Sequence, residues 1–331
     1  MEDVQAVRGY LERSGWLEGI REVRFLAAGE YNENHYVRAS GGEYVLRINH
    51  GSQLGLGREQ IGYEFSVLSA VAPSGVTPRP YRVDPWPEGL SGGTLLMDYL
   101  PGRPLDYSHD LERAARILAR VHALPPDDGL IRQDRAVLDI VAESEGLLDR
   151  YPDHPRPEMR DRLLAYRDDV LTLNERSRDF LASEPPVMVN TEVNSGNFIM
   201  SHMDGRHGKG DFLVDWEKAV VSTRHQDLGH FLAPTTTLWK TDTQLDREQR
   251  EAFLSAYRRE LLLLGAAAPD MDALREGSAI LERTILLRAL SWSHMAYCEY
   301  TRAERAIRNA DTLAKIRQYL DNAECFLTWK E

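Results

Sequence analysis

Positive charge, cysteine and long apolar runs are all scarce in this chain, and each scarcity closes off a class of function. With 52 acidic side chains against 40 basic ones, the 331 residues carry a formal net charge of -12. A nucleic-acid surface needs clustered lysine and arginine against phosphate, so this balance argues against nucleic acid and for a small-molecule partner. No apolar run approaches the roughly 20 residues that span a bilayer. The opening Met1-Glu-Asp-Val-Gln has neither the basic nor the apolar part of a secretion signal. The expected location is therefore cytoplasmic, with no membrane partner. Cysteine is confined to Cys298 and Cys325, which lack metal-ligand spacing and sit in segments that read as helices. That predicts ordinary buried thiols. Lysine is absent before Lys209, so in the first half of the chain only arginine can hold a phosphate.

What is present falls into two halves of different character. Residues 23 to 49 alternate as strands do: Val23-Arg-Phe-Leu, a Gly/Asn-rich turn, Tyr36-Val-Arg-Ala, the Gly41-Gly42 turn, then Tyr44-Val-Leu-Arg-Ile. This is the pattern of an antiparallel hairpin. Ile61, Phe65, Leu68 and Ala72 then recur at helical spacing and set Glu64 at the edge of the apolar stripe, facing the preceding sheet. Another strand, Thr94-Leu-Leu-Met-Asp-Tyr-Leu100, is stopped by Pro101-Gly102, whose turn chemistry suggests a hinge. From Asp110 the chain turns helical, with Leu111, Ala114, Ala115, Leu118 and Val121 on one stripe, and a charged helical stretch follows over about residues 136 to 183. After Asp246 come three further helices, with breaks near Pro269 and Arg305. Strands first and mainly helices later, with one short strand pair inside the helical half, is an α+β pattern.

The strand pair carries the chemistry. Val187-Met-Val-Asn-Thr-Glu-Val-Asn-Ser-Gly-Asn-Phe-Ile-Met200 and Phe212-Leu-Val-Asp-Trp-Glu217 read as apolar strands leading into carboxylate and amide side chains. Glu192, Asn197 and Asp215 follow the order of base, metal ligand and metal ligand in a phosphoryl-transfer centre. Such a reaction asks the protein for four things: a loop over the nucleotide phosphates, a held cation, oxygen ligands for magnesium and a group that orients the acceptor hydroxyl. Candidates exist for all four. Gly29 with Asn32 and Asn34 lies between two predicted strands where the loop belongs, and the alternative reading is a plain hairpin turn. Arg47 supplies the cation, with Glu64 as its partner. Asn197 and Asp215 offer oxygen donors to Mg2+. Glu192 is the candidate base, one methylene longer than the aspartate usual in kinases.

These residues resemble the aminoglycoside phosphotransferase, choline kinase and methylthioribose kinase group, small-molecule relatives of protein kinases. Four blocks in the right order carry the likeness. They are Gly29-Glu-Tyr-Asn-Glu-Asn-His-Tyr36; Tyr44-Val-Leu-Arg47 with Tyr63-Glu-Phe-Ser-Val-Leu68; Leu96-Met-Asp-Tyr-Leu-Pro-Gly-Arg-Pro-Leu105 with Ile117-Leu-Ala-Arg-Val-His122; and Gly196-Asn197 with Asp215-Trp216. The resemblance implies a bilobal kinase-like fold, with a nucleotide-binding N-lobe over residues 1–98 and a helical C-lobe over 99–331. It also implies ATP or GTP as co-substrate, Mg2+ at Asn197 and Asp215, and a purine ring against the backbone of Asp98, Tyr99 and Leu100. Asp227 in Gln226-Asp-Leu-Gly is similar to a later family aspartate that supports the catalytic loop. The implied reaction moves a γ-phosphate to a hydroxyl of a small molecule, an antibiotic, amino sugar or metabolite. Where the family has His-Gly-Asp, this chain has Asn190, Thr191 and Glu192. That departure keeps two alternatives open, a nucleotidyl transferase on the same fold and an inactive nucleotide-binding module. For the acceptor, Pro234-Thr-Thr-Thr-Leu-Trp-Lys-Thr-Asp242 mixes hydroxyls, an aromatic face and both charges, and reads equally as a connecting loop.

Overall fold

Alternation decides the first sheet. A computed structural model of the protein describes residues 1–29, 31–52, 54–201, 210–302 and 310–328. The chain divides into two compact units, one of residues 1–104, 127–131 and 197–220, the other of 105–126, 132–196 and 221–331.

The first unit opens with helix α1 (Val4–Ser14), capped by the Asp3 side chain on Gln5 N–H and closed by Gly15 at φ 64°. Strands β1 (Glu22–Ala28), β2 (Asn32–Ala39) and β3 (Gly42–Asn49) follow, then helix α2 (Gln60–Val71) and strands β4 (Pro80–Asp84) and β5 (Gly93–Asp98). They form one five-stranded antiparallel sheet in the order β1-β2-β3-β5-β4. Because strand side chains alternate, the sheet has two different faces. Val37, Leu46, Ile48 and Leu96 make one of them and pack with Val7, Tyr10 and Leu11 of α1. Each such large side chain contributes ~1.5–3 kcal/mol on burial. The other face holds Asn32, Asn34, Arg47 and Asn49, set in register as Asn32↔Asn49 and Asn34↔Arg47. The hairpin and the helix carrying Glu64 match the sequence pattern. The strand expected to run to Leu100 ends at Asp98, and β4, a five-residue edge strand beginning at Pro80, has too little alternation to be read.

Two short strands complete this unit, β7 (Phe198–Ile199) and β8 (Phe212–Leu213), preceded in the chain by β6 (Pro186–Val189) of the second unit. The second unit begins with helices α3 (Leu111–His122), α4 (Ala136–Asp149), α5 (Pro157–Arg176) and α6 (Arg178–Ser183). The stretch expected as continuous helix over about 136 to 183 is thus interrupted twice, at a segment containing Pro152 and Pro155 and at Ser177. Strand β9 (Val220–Thr223) pairs with β6 and leads into α7 (His225–Leu232) and α8 (Pro234–Lys240). Then come α9 (Arg247–Leu263), α10 (Met271–Thr301), α11 (Ala310–Asp321) and α12 (Ala323–Leu327). The break near Pro269 falls between α9 and α10, where Gly265 takes φ 69° and Asp270 caps the next helix; the one expected near Arg305 lies outside the described residues. Helix α10 is the unit's axis, with Leu281, Ile285, Leu286 and Leu290 in a core that also takes side chains of α4, α5 and α11. Cys298 is buried in it. Cys325 is exposed, contrary to the expectation of two buried thiols, because α12 turns Ala323 and Phe326 inward and leaves position 325 to solvent.

Candidate active site

Within the first unit, Arg47 is the centre of a charged cluster. Its Nη1 donates to Glu64 Oε1 at 2.5 Å and to Asp215 Oδ1 at 3.2 Å, while its Nε donates to Asn34 Oδ1 at 3.1 Å. Arg47 and Glu64 are both buried, and a side-chain oxygen of Glu64, Oε2, has no hydrogen-bond partner among the described residues. Burial raises the Glu64 carboxyl against the pull of Arg47, which keeps it the partner of the guanidinium. Burial alone would weaken Arg47 as a base, but Glu64, Asp215 and Glu217 outweigh it and hold the guanidinium firmly charged.

Antiparallel pairing of β7 with β8 aligns Phe198 with Leu213, and Val214 N–H donates to Asn197 O at 2.9 Å. Asn197 and Asp215 therefore sit at the same end of this ladder. Asp215 adopts φ 65°, which only a sharp turn out of the strand requires, and its side chain is one-third exposed. One amide and one carboxylate, both oxygen donors and one of them reachable, suit magnesium, which keeps several ligand positions for water and phosphate. No cluster of three or more His, Cys, Asp or Glu arranged for a metal occurs among the described residues.

The turn expected to serve as the nucleotide loop is shorter than the sequence suggested. Gly29 is exposed and its N–H donates to Asn32 O at 2.9 Å, and Asn32 and Asn34 lie on β2 itself. Asn34 braces Arg47. Asn32 is buried and donates to Glu217 Oε2 at 2.5 Å, while Asn49 donates to Asn32 Oδ1 at 2.8 Å and Gln60 donates to the Glu217 carbonyl at 2.7 Å. At the end of β5, Asp98 N–H donates to Arg79 O and Tyr99 N–H to Glu43 O, and the Asp98 carboxylate accepts from Tyr81 at 2.6 Å. Of residues 98 to 100 only Leu100 keeps an N–H without a partner among the described residues.

In the second unit the segment around Glu192 is fixed from below by Asp227. This aspartate is fully buried; its two oxygens accept from Asn190 N–H and Thr191 N–H, each at 2.8 Å, and His122 Nε2 lies 3.3 Å from Oδ2. Burial depresses the pKa of His122, which Asp227 partly opposes. The Asn190 side chain folds over the turn and accepts Glu192 N–H at 3.0 Å. Thr191, at φ 68°, is a β-branched residue in the left-handed region. On α10, Arg288 donates to Thr191 O at 3.3 Å. Glu192 itself is half-buried.

The profile of the phosphotransferase enzyme family (APH) matches residues 22–276. The chain belongs to this family. It is therefore an enzyme of the small-molecule kinase class, and its α+β fold is that of the protein-kinase-like members. Among solved structures this phosphotransferase is similar to the choline kinase LicA from Streptococcus pneumoniae, with 17% identity over 97% of this chain and 99% of that one and a TM-score of 0.62. An ethanolamine kinase from Plasmodium vivax gives 13% identity, 92% and 81% coverage and a TM-score of 0.62. A spectinomycin phosphotransferase solved with ADP and spectinomycin gives 10%, 97% and 94%, and 0.57. At such identities the likeness is one of fold. No curated protein matches the chain.

Where the resemblance places His-Gly-Asp, the phosphotransferase has Asn190, whose side chain closes the turn on Glu192 N–H, and Thr191, whose left-handed backbone is one that glycine adopts without steric cost. Sequence reasoning overlooked Glu217, Gln60 and Arg288. Glu217 stands two residues past Asp215 and was legible as a second acid; nothing in the pattern of α10 marks Arg288. The segment 234–242 proved to be mainly helix, with Thr235, Thr236 and Thr237 buried and only its end from Trp239 onward partly open.

Proposed function

We propose that this enzyme transfers the γ-phosphate of ATP or GTP to a hydroxyl of a small molecule, in the cytoplasm and with Mg2+. The observation that carries this is the β7–β8 register, which brings Asn197 and Asp215 to one end of the ladder beside the Arg47–Glu64 pair. Asn197 and Asp215 would hold the metal, whose contribution is to neutralise charge on the phosphates. Arg47, kept charged and oriented by Glu64 and Asn34, binds the phosphates from the sheet side, and the Gly29 turn covers them. The purine lies against residues 98–100, where the Leu100 N–H is available as donor. Residues 1–98 are the nucleotide-binding N-lobe in this reading, and 99–331 the C-lobe with the catalytic loop and the acceptor-binding helices. Glu192 accepts the proton of the acceptor hydroxyl as its oxygen bonds to the γ-phosphorus. The bond from that phosphorus to the β–γ bridging oxygen breaks, leaving ADP or GDP.

A coupled nucleotide-consumption assay against amino sugars, polyols, amino alcohols and aminoglycosides tests the reading, with products weighed by mass spectrometry. Asp215→Ala is expected to abolish turnover and Glu192→Ala to lower kcat by about 10²- to 10⁴-fold, while Glu192→Asp retains activity. Transfer of a nucleotidyl rather than a phosphoryl group, or full rate in Glu192→Ala, would refute it.

A further inference from the structure

Most arginines of this acidic chain are matched to carboxylates, as in Arg47–Glu64 or Arg275–Glu251 at 2.6 Å. The basic groups around the 190–196 segment are matched loosely or not at all. Arg288 spends one donor on the neutral Thr191 carbonyl and lies 3.5 Å from His230 Nδ1 of α7, and its carboxylate partner, Glu143, is 4.0 Å away. Lys240 ends α8 with its Cγ 3.9 Å from where a Cβ on Gly196 would stand, and its ammonium lies 5.8 Å from the Trp239 ring. No carboxylate pairs with Lys240 among the described residues. Trp239 is held edge-on by Trp292, at 5.8 Å and 81°. Beside them opens a cavity of about 450 Å³, lined by Trp239, Lys240 and Thr241, by the mutually paired Asp242 and Lys315, and by Asp311, which has a partner of its own. Two of the chain's five lysines face this one cavity.

Resting on the kinase reading above, we propose that the acceptor is a polyhydroxylated molecule bearing a negative charge, a carboxylate or a phosphate ester, with Lys240 as the residue that selects it. An ammonium-bearing acceptor beside Lys240 would meet a lysine that no carboxylate pairs with among the described residues, and like charge there disfavours it. An anion gains a charge-assisted hydrogen bond there, and the sugar-like face of the molecule rests on the Trp239 ring. Thr241 offers a hydroxyl to the same ligand.

The test is a set of four acceptors on one skeleton, a hexose, its amino sugar, its uronic acid and its phosphate ester, assayed with magnesium and nucleotide at saturation. The uronic acid or the phosphate ester is expected to exceed the hexose in kcat/KM at least tenfold, and the amino sugar to be the poorest; which anion leads separates the two sources of charge. Lys240→Glu should raise KM for the anionic acceptor at least tenfold, leave the KM for nucleotide unchanged and invert the order, while Lys240→Arg preserves it. Preference for the amino sugar, or an order unmoved by Lys240→Glu, overturns the assignment. Magnesium-dependent nucleotide hydrolysis without transfer to either anion also overturns it, whereas absence of both hydrolysis and transfer refutes the kinase reading itself.

Discussion

Thr191 shows what one side chain costs. A β-branched residue at positive φ carries roughly 1–2 kcal/mol of strain, and a glycine there would lose only the smaller entropic penalty. Asp227 on its N–H and Arg288 on its carbonyl are backbone contacts that the substitution spares. Thr191→Gly should therefore stabilise the protein by up to about 1 kcal/mol in urea denaturation, and a loss of stability would show that the Thr191 side chain contributes more than its strain. Arg47 shows the converse. Removing its charge as Arg47→Met leaves Glu64 buried opposite nothing, and a cost of about 3–5 kcal/mol follows; an unchanged denaturation midpoint would contradict the pairing. Residue by residue, the site was legible wherever chemistry and spacing coincide, as in the Arg47–Glu64 contact. Asn32 was less legible, because an amide that serves a loop and an amide that serves Glu217 look alike in a sequence.

At the scale of elements, helix α7 touches α10 through Gly229. A Cβ there would lie 2.5 Å from Glu282 N and 2.8 Å from Leu281 C and Ser278 O, all of them backbone that cannot swing aside. Gly229→Ala should cost about 1–3 kcal/mol and loosen Asp227, two residues earlier in the same helix; a neutral outcome would mean that α7 and α10 have room to part. The start of α5 is tied to α10 by His154 and His294, whose rings stack at 3.5 Å. Burial, helped by neighbouring positive charge, pushes His294 down to about 4, with His154, Arg160 and Glu158 facing it, while Arg156 and Arg302 face the likewise lowered His154. A histidine depressed in the folded state contributes stability that is complete above its unfolded value near 6.5 and is lost as pH falls toward 4. The predicted loss is on the order of 3 kcal/mol, and His294→Phe, which keeps a ring in the stack, should flatten the dependence of Tm on pH over that interval. A profile equally steep in the variant would place the titration elsewhere. Elements with strong period, the hairpin, α2 and α3, were readable from apolar spacing. The breaks inside 136–183 were not, since prolines between charged helical segments leave the periodicity intact on either side, and α12 is too short to show any.

For the molecule as a whole, the family assignment and the two-part composition agree: a strand-rich first part, a helical second part and a surface of negative net charge. No helix among the described residues is long and apolar enough to cross a membrane. What the whole chain does then depends on whether Asn197 and Asp215 act together on a metal-bound triphosphate. Calorimetric titration of ATP and GTP, with and without magnesium, into the wild type and Asp215→Ala is the most direct measurement. The expected result is magnesium-enhanced nucleotide binding in the wild type that weakens at least tenfold in Asp215→Ala, with metal-free binding little changed. Equal magnesium-dependent affinity in both proteins would contradict the account.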